Sequence, residues 1–228
     1  MQISAEMISG KTEAHLSVLD NISGLGNACL LHTDVIKPFL TMREAAAKKG
    51  LDLRVASGFR SYERQLSIWN GKATGQRFLL NDNGQPIDPD SLCDTEKLNA
   101  ILRWSALPGC SRHHWGTDLD VWDSAAVPED YSLQLVPEEY QQSGPFYALS
   151  CWLDEYAETY GFVRPYDIDR GGVAPEPWHL SYLPIAKQFE AQLSATFVRK
   201  ILDNSDLVLA EVAVDSLDDI WDQFICTR

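Results

Sequence analysis

Apolar residues recur in two rhythms along this chain. Over residues 33–49, Val35, Ile36, Phe39, Leu40 and Met42 share one side of a 3.6-residue period, which predicts a helix. Thr33 or Asp34 can cap its start, and Gly50 ends it. Leu51, Leu53 and Val55 then alternate with Asp52, Arg54 and Ala56, the period of a strand. Ser57-Gly58 breaks that strand, and Ser61 can cap a helix running towards Trp69. Residues 71–92 carry Gly, Asn, Asp and Pro and predict a long irregular segment, of the kind that often serves as a lid or binding loop. A helix from Asp94 to near Ala106 is stopped by Pro108-Gly109.

Thr117 to Trp122 predicts a short strand, with Leu119 and Val121 opposite Asp118 and Asp120. Residues 124–144 read as loop. Phe146, Leu149, Trp152, Leu153, Tyr156 and Tyr160 form the apolar face of a helix that Gly161 ends. Phe162-Val163 and Trp178–Leu183 are the remaining strand candidates, separated by a Gly/Pro-rich turn region. From Pro184 onward the pattern is helical, including VRKIL and SLDDIWDQFI. Short hairpin-like strands among helices predict an α+β fold, a small, mainly antiparallel sheet flanked by helices with a C-terminal helical tail. A chain of 228 residues suits one domain. The 184–228 tail is acidic (Asp203, Asp206, Glu211, Asp215, Asp218, Asp219, Asp222), which reads as a solvated face.

Charge narrows the partners. Against 19 Lys and Arg stand 33 Asp and Glu, a formal net charge of -14, which repels a nucleic-acid backbone or an anionic membrane. A few arginines can still make a local anion site on such a surface. The N-terminal residues show no basic region followed by an apolar run, and no stretch approaches the roughly 20 apolar residues of a membrane span. The five cysteines are scattered, as suits free thiols in a reducing compartment. A cytoplasmic location is the expectation.

Chemistry concentrates in two segments, Ser111-Arg112-His113-His114-Trp115-Gly116-Thr117-Asp118-Leu119-Asp120 and Glu176-Pro177-Trp178-His179. A catalytic zinc takes three nitrogen or oxygen ligands and keeps one position open. His113, Asp120 and His179 supply that set, and Gly116 lets the chain turn between a loop ligand and a strand ligand. Glu176, three residues before His179, is close enough to act as the base for an activated water.

These segments, Ser111-x-His113-x-x-Gly116-x-x-x-Asp120 and Glu176-x-Trp178-His179, resemble the two signatures of the zinc D-alanyl-D-alanine carboxypeptidases of the VanY type and their VanX dipeptidase relatives. Ser57-Gly58-Phe59-Arg60-Ser61, followed by Gln65, is similar to a third family segment. The resemblance covers about residues 51–183 and implies a fold shared with the Hedgehog signalling domain. It implies zinc on His113, Asp120 and His179, Glu176 as general base and then acid, and Arg60 polarising the scissile carbonyl. Ser111 and Gln65 match positions near the substrate, although capping and loop hydrogen bonds would suit them equally. Asp118 stands where the family usually has Ala. On the same side as Asp120, it either approaches the metal or a substrate ammonium, or pairs with Arg112 without a chemical role. His114 is expected to point away.

The implied function is removal of a C-terminal D-amino acid from peptidoglycan-derived peptides, with L,D and D,D specificity both open. Muropeptides or wall precursors would be the substrates. An endolysin-like L-alanyl-D-glutamate endopeptidase and a non-catalytic zinc-binding module are the alternatives. The first usually carries a basic wall-binding module, absent from this acidic chain, and retention of Glu176 and Arg60 speaks against the second.

Overall fold

The computed structural model describes residues 2–19, 29–203 and 205–226. The first half runs α1 (Ala5–Ser9), β1 (Leu16–Leu19), β2 (Cys29–His32), α2 (Thr33–Ala47), β3 (Leu53–Ser57), α3 (Tyr62–Ala73), β4 (Leu79–Leu80), β5 (Pro86–Ile87) and α4 (Asp94–Trp104). The second half runs β6 (Asp118–Asp123), α5 (Tyr147–Tyr156), β7 (Phe162–Val163), β8 (His179–Tyr182), α6 (Leu183–Glu190), α7 (Ala195–Leu202), α8 (Ala210–Asp215) and α9 (Leu217–Ile220).

The fold is α+β, as the hydrophobic rhythms predict. Its main sheet is antiparallel, in the order β3-β6-β8-β7. Two-stranded hairpins β1-β2 and β4-β5 stand beside it. The second falls inside the segment 71–92, expected to be irregular, whose strands are only two residues long. The β1-β2 hairpin is also too short for alternation to show. Ser61 does cap α3, its hydroxyl accepting from Arg64 N at 3.2 Å. The cap of α2 is His32 rather than Thr33 or Asp34, its Nδ1 accepting from Asp34 N at 3.2 Å.

Among the described residues there are three buried apolar clusters, a small one around Trp115 and Phe189 and two larger ones. One lies around the main sheet, where Val55, Leu119, Val121 and Leu180 meet Phe39 and Met42 of α2 and Trp152 of α5. The other packs α3 and α4 against the tail: Trp69, Leu98 and Ile101 meet Val198, Leu202 and Ile220. Each such side chain, fully buried, contributes about 1.5–3 kcal/mol. Polar ties reinforce this second core. Trp69 Nε1 donates to Val208 O at 2.9 Å, and the Asn70 side chain bonds both Asp206 O and Val208 N at 2.9 Å. The seven tail acids are all exposed, so the solvated face and the packed face are two sides of one amphipathic segment. No helix among the described residues is long and apolar enough to cross a membrane.

Candidate active site

Strand register brings the two chemical segments together. Asp120 on β6 lies opposite His179 on β8 and opposite Ser57 on β3, while Asp118 lies opposite Ser181. A register shift between Val55 and Ser57 bends β3 at this point, a device common beside active sites. His113 arrives on a 3₁₀ turn, Arg112–Trp115, which Gly116 ends with a left-handed φ of 67°. A Cβ on Gly116 would stand 2.5 Å from Leu16 Cδ2 and 2.7 Å from His32 N, so only glycine lets the hairpin close against the turn.

His113, Asp120 and His179 are buried, and one ligand atom from each falls within 4.8 Å of the others. Each imidazole is oriented from outside. His113 Nδ1 donates to Gly58 O at 2.9 Å, which leaves Nε2 facing Asp120 Oδ2 at 3.5 Å. His179 Nε2 meets Asp118 Oδ1 at 3.0 Å, which turns Nδ1 inward, 3.2 Å from Asp120 Oδ1 and 3.2 Å from Glu176 Oε2. Buried polar atoms are nearly always hydrogen-bonded. Asp120 Oδ1 and His179 Nδ1 are buried, adjacent and without a hydrogen-bond partner. Two imidazole nitrogens and a carboxylate converging in this way fit a zinc ion.

The charges agree. Burial pushes the His113 imidazole down to about 4, so it is neutral and fit to ligate. At His179 burial acts in the same sense, but the Asp118 hydrogen bond and the nearby Asp120 and Glu176 carboxylates outweigh it and raise its pKa. Three carboxylates around one ring are an excess of negative charge that a divalent cation would offset.

Arg60 is held by its own loop and by α3. Arg60 N donates to His113 O at 3.1 Å, and Arg60 O accepts from His114 Nδ1 at 2.6 Å, so the 58–60 and 113–114 segments are zipped together. His114 Nε2 accepts from Gly109 N at 3.0 Å. Both its nitrogens are thereby used, and it braces the loops. The Arg60 guanidinium donates to Gln65 Oε1 at 3.0 Å, while Gln65 Nε2 donates to Ala106 O at 2.7 Å and Ser105 Oγ at 3.2 Å. Gln65 is fully buried. It lies behind Arg60 and aims the guanidinium, which is the hydrogen-bonding role weighed beside the substrate-side position that the resemblance implied.

A cavity of about 220 Å³ opens over these groups, lined by Arg60, Ser111, His113, Asp120, Glu176 and His179. Asp118 is placed below this floor, bonded to Arg112 and His179. Tyr166 also lines the cavity, edge-on to His179 with ring centres 5.0 Å apart, its hydroxyl pushed up to about 12 by burial. Trp178, Leu135 and Val173 add apolar surface, and Phe224 and Ile225 contribute a wall from the tail. Tyr166 belongs to no helical or strand period around the motifs, and the helical pattern of the tail gives no sign that Phe224 and Ile225 face the cavity. Lys72 of α3 brings a second cation near Glu176, with burial lowering its pKa to about 8.

Residues 28–185 match the VanY family, described as D-alanyl-D-alanine carboxypeptidase. The chain belongs to this family. It is 40% identical over 107 residues to an uncharacterised protein of Haemophilus influenzae, spanning 47% of this chain and 72% of that one. It is 30% identical over 154 residues to a D-alanyl-D-alanine carboxypeptidase of Enterococcus faecalis, spanning 66% of this chain and 47%, about half, of that longer protein. Among solved structures, the LdcB LD-carboxypeptidase superposes with a TM-score of 0.56 at 23% identity, covering 89% of this chain and 78% of its own. A VanY D,D-pentapeptidase variant in complex with Zn(II) superposes with a TM-score of 0.51 at 21% identity, covering 93% and 86%. These likenesses show a shared fold. The wall formed by Phe224 and Ile225 lies outside the family match.

Proposed function

We propose that this protein is a zinc-dependent carboxypeptidase that removes a C-terminal D-amino acid, D-Ala, from peptidoglycan-derived peptides. The convergence of His113, Asp120 and His179 beside Glu176 and Arg60 in one cavity carries the reading. When bound there, zinc supplies Lewis acidity that polarises a carbonyl and eases ionisation of water.

The chain's own residues supply the rest. Glu176 Oε2 accepts the proton of the water that attacks the terminal peptide carbonyl, then delivers it to the leaving amine. Its place 3.2 Å from His179 Nδ1 puts it at the ligand cluster without a role in the cluster itself. Arg60, fixed by Gln65, presents positive charge where the carbonyl oxygen becomes anionic. The apolar walls exclude competing water.

Cavity size supports an exopeptidase acting on free muropeptides. At about 220 Å³ it is below the roughly 300–1,000 Å³ typical of drug-sized ligands, which suits the end of a peptide rather than the middle of a wall polymer. A relative in the same fold was solved with D-Alanine-D-Alanine bound, a ligand of this kind. The test offers tetrapeptide and pentapeptide muropeptides to the zinc-loaded protein and identifies products by mass. Release of D-Ala from the tetrapeptide establishes L,D activity, and release from the pentapeptide alone establishes D,D activity. Glu176→Gln is expected to slow either reaction by about 10²–10⁴-fold. Equal rates for the two proteins would sink the assignment of the base.

A further inference from the structure

Asp118 is completely buried, and no substrate-facing role accounts for it. It shares a face of β6 with Asp120, one pleat along, yet makes none of the contacts a cavity residue would make. Four donors occupy its two oxygens. Oδ1 accepts from Arg112 Nε at 2.7 Å and from His179 Nε2 at 3.0 Å. Oδ2 accepts from Thr117 Oγ1 at 2.6 Å and Ser181 Oγ at 3.1 Å. Arg112 is itself immobilised, donating to Ser181 Oγ at 2.7 Å and to Glu190, with its guanidinium over the Trp115 ring at 4.9 Å.

A plain ion pair would take a simpler form. Arginine meets a partner carboxylate best through two parallel hydrogen bonds. Here the guanidinium spreads its donors over three acceptors, and Asp118 Oδ1 is shared with an imidazole. A carboxylate oxygen can only accept, so Nε2, which faces Asp118 Oδ1 at 3.0 Å, carries a proton whatever the charge of the ring, and Nδ1 is the nitrogen left to bind a cation. Nδ1 has no hydrogen-bond partner and is directed at Asp120 and Glu176. Carboxylates behind ligating histidines set tautomer and ring orientation in just this manner.

We propose that Asp118 is a positioning residue that holds the His179 ring with Nε2–H outward and Nδ1 turned into the metal site, clamped in turn by Arg112, Thr117 and Ser181. This rests on the reading of His113, Asp120 and His179 as a zinc site. It assigns work to a residue at which this chain departs from the Ala usual in the family it resembles. The clamp makes the His179 ring part of the sheet edge, so the ligand is in place before the ion arrives.

The experiment uses the full chain and two readouts. Zinc affinity is measured by competition with a chromogenic chelator for wild type, Asp118→Ala and Ser181→Ala. The proton on His179 Nε2 is read by nitrogen-resolved NMR of the same proteins without zinc. Asp118→Ala removes the acceptor that faces Nε2. Its zinc affinity is expected to fall by about 10–100-fold, the range seen when such outer partners are removed. The proton on His179 Nε2, present in wild type, is expected to be lost, leaving the ring protonated on Nδ1 towards Asp120 and Glu176. Ser181→Ala removes one tether, leaves Asp118 charged and paired, and is expected to weaken zinc less while keeping the Nε2 proton. It carries the affinity readout if Asp118→Ala does not fold. A folded Asp118→Ala protein with wild-type zinc affinity and the Nε2 proton in place would overturn the proposal, as would full wild-type affinity in Ser181→Ala. Wild type that retains the Nε2 proton yet binds no zinc would refute the zinc reading and leave the role of Asp118 in setting the tautomer standing.

Discussion

The floor of the cavity and its tail-side wall are built by opposite means. On the floor, buried polar side chains are fixed by hydrogen bonds to backbone and neighbouring side chains: His113 to Gly58, His179 to Asp118, and Arg60 to Gln65. On the wall, apolar residues of the tail pack on α3 and α4, and Phe224 and Ile225 reach the cavity. Direction matters on the floor, because a lone pair or a guanidinium works only when aimed. The wall needs volume and shape. The family match covers all the floor residues named above and ends before α7 to α9 and the helical turn Trp221–Ile225 that follows them and carries the wall. The residues proposed to do the chemistry and the residues that wall it thus reside in separable parts of the chain.

Substitutions can break this division or sharpen it. Arg60→Ala, on the floor, is expected to lower kcat by about a hundred- to thousandfold, the scale for loss of an oxyanion donor, with melting temperature changing far less than in the core substitutions below. Steady-state kinetics beside a thermal melt checks this. A comparable loss of fold would erase the distinction. Ile220→Ala, in the wall core, is expected to cost about 2–3 kcal/mol in urea unfolding through the cavity it leaves, while kcat on a short peptide in the folded protein stays near wild type. Phe224→Ala opens the wall without touching the floor. Its rate on intact sacculi relative to a soluble muropeptide is expected to rise by about tenfold, as pocket contacts of this size discriminate. An unchanged ratio would remove the wall from any account of selectivity.

The smallest effect concerns the packing behind the floor. His15 is buried beside His32 and Phe189, with ring centres 5.6 and 5.7 Å away. Burial first, and then the His32 charge, lower its pKa from 6.5 to about 4. A depressed folded-state value means that the unfolded chain binds the proton first. Stability is therefore full above 6.5 and declines as pH falls towards 4, by at most about 1.4 kcal/mol per pH unit. Urea titrations at pH 7 and pH 5 are expected to show a smaller drop for His15→Leu than for wild type. An identical drop would assign the acid sensitivity elsewhere.

The ligand set was legible because its signals are local. Seven positions separate His113 from Asp120, three separate Glu176 from His179, and a single strand pairing joins the two segments. Helix starts were legible where Ser did the capping, and missed at His32, whose ring takes a role more usual for a hydroxyl or carboxylate. Outer partners were legible only as residue types. Asp118 and Gln65 stood out, but whether each faced a substrate, a metal or another side chain depended on register and burial. The tail acids announced a solvated face, while the apolar residues between them gave no sign of their partners in α3 and α4. Those contacts join residues more than a hundred positions apart, beyond the reach of any local pattern.

That separation has a consequence for the order of events during synthesis. Trp69 and Asn70 emerge from the ribosome long before Val208, to which both are bonded across 138 and 139 positions. At roughly 5–20 residues per second, the floor of the cavity is translated several seconds before the segment that walls it. A nascent chain thus has every floor residue before it has the wall, and the cavity is completed only when the final helices pack onto α3.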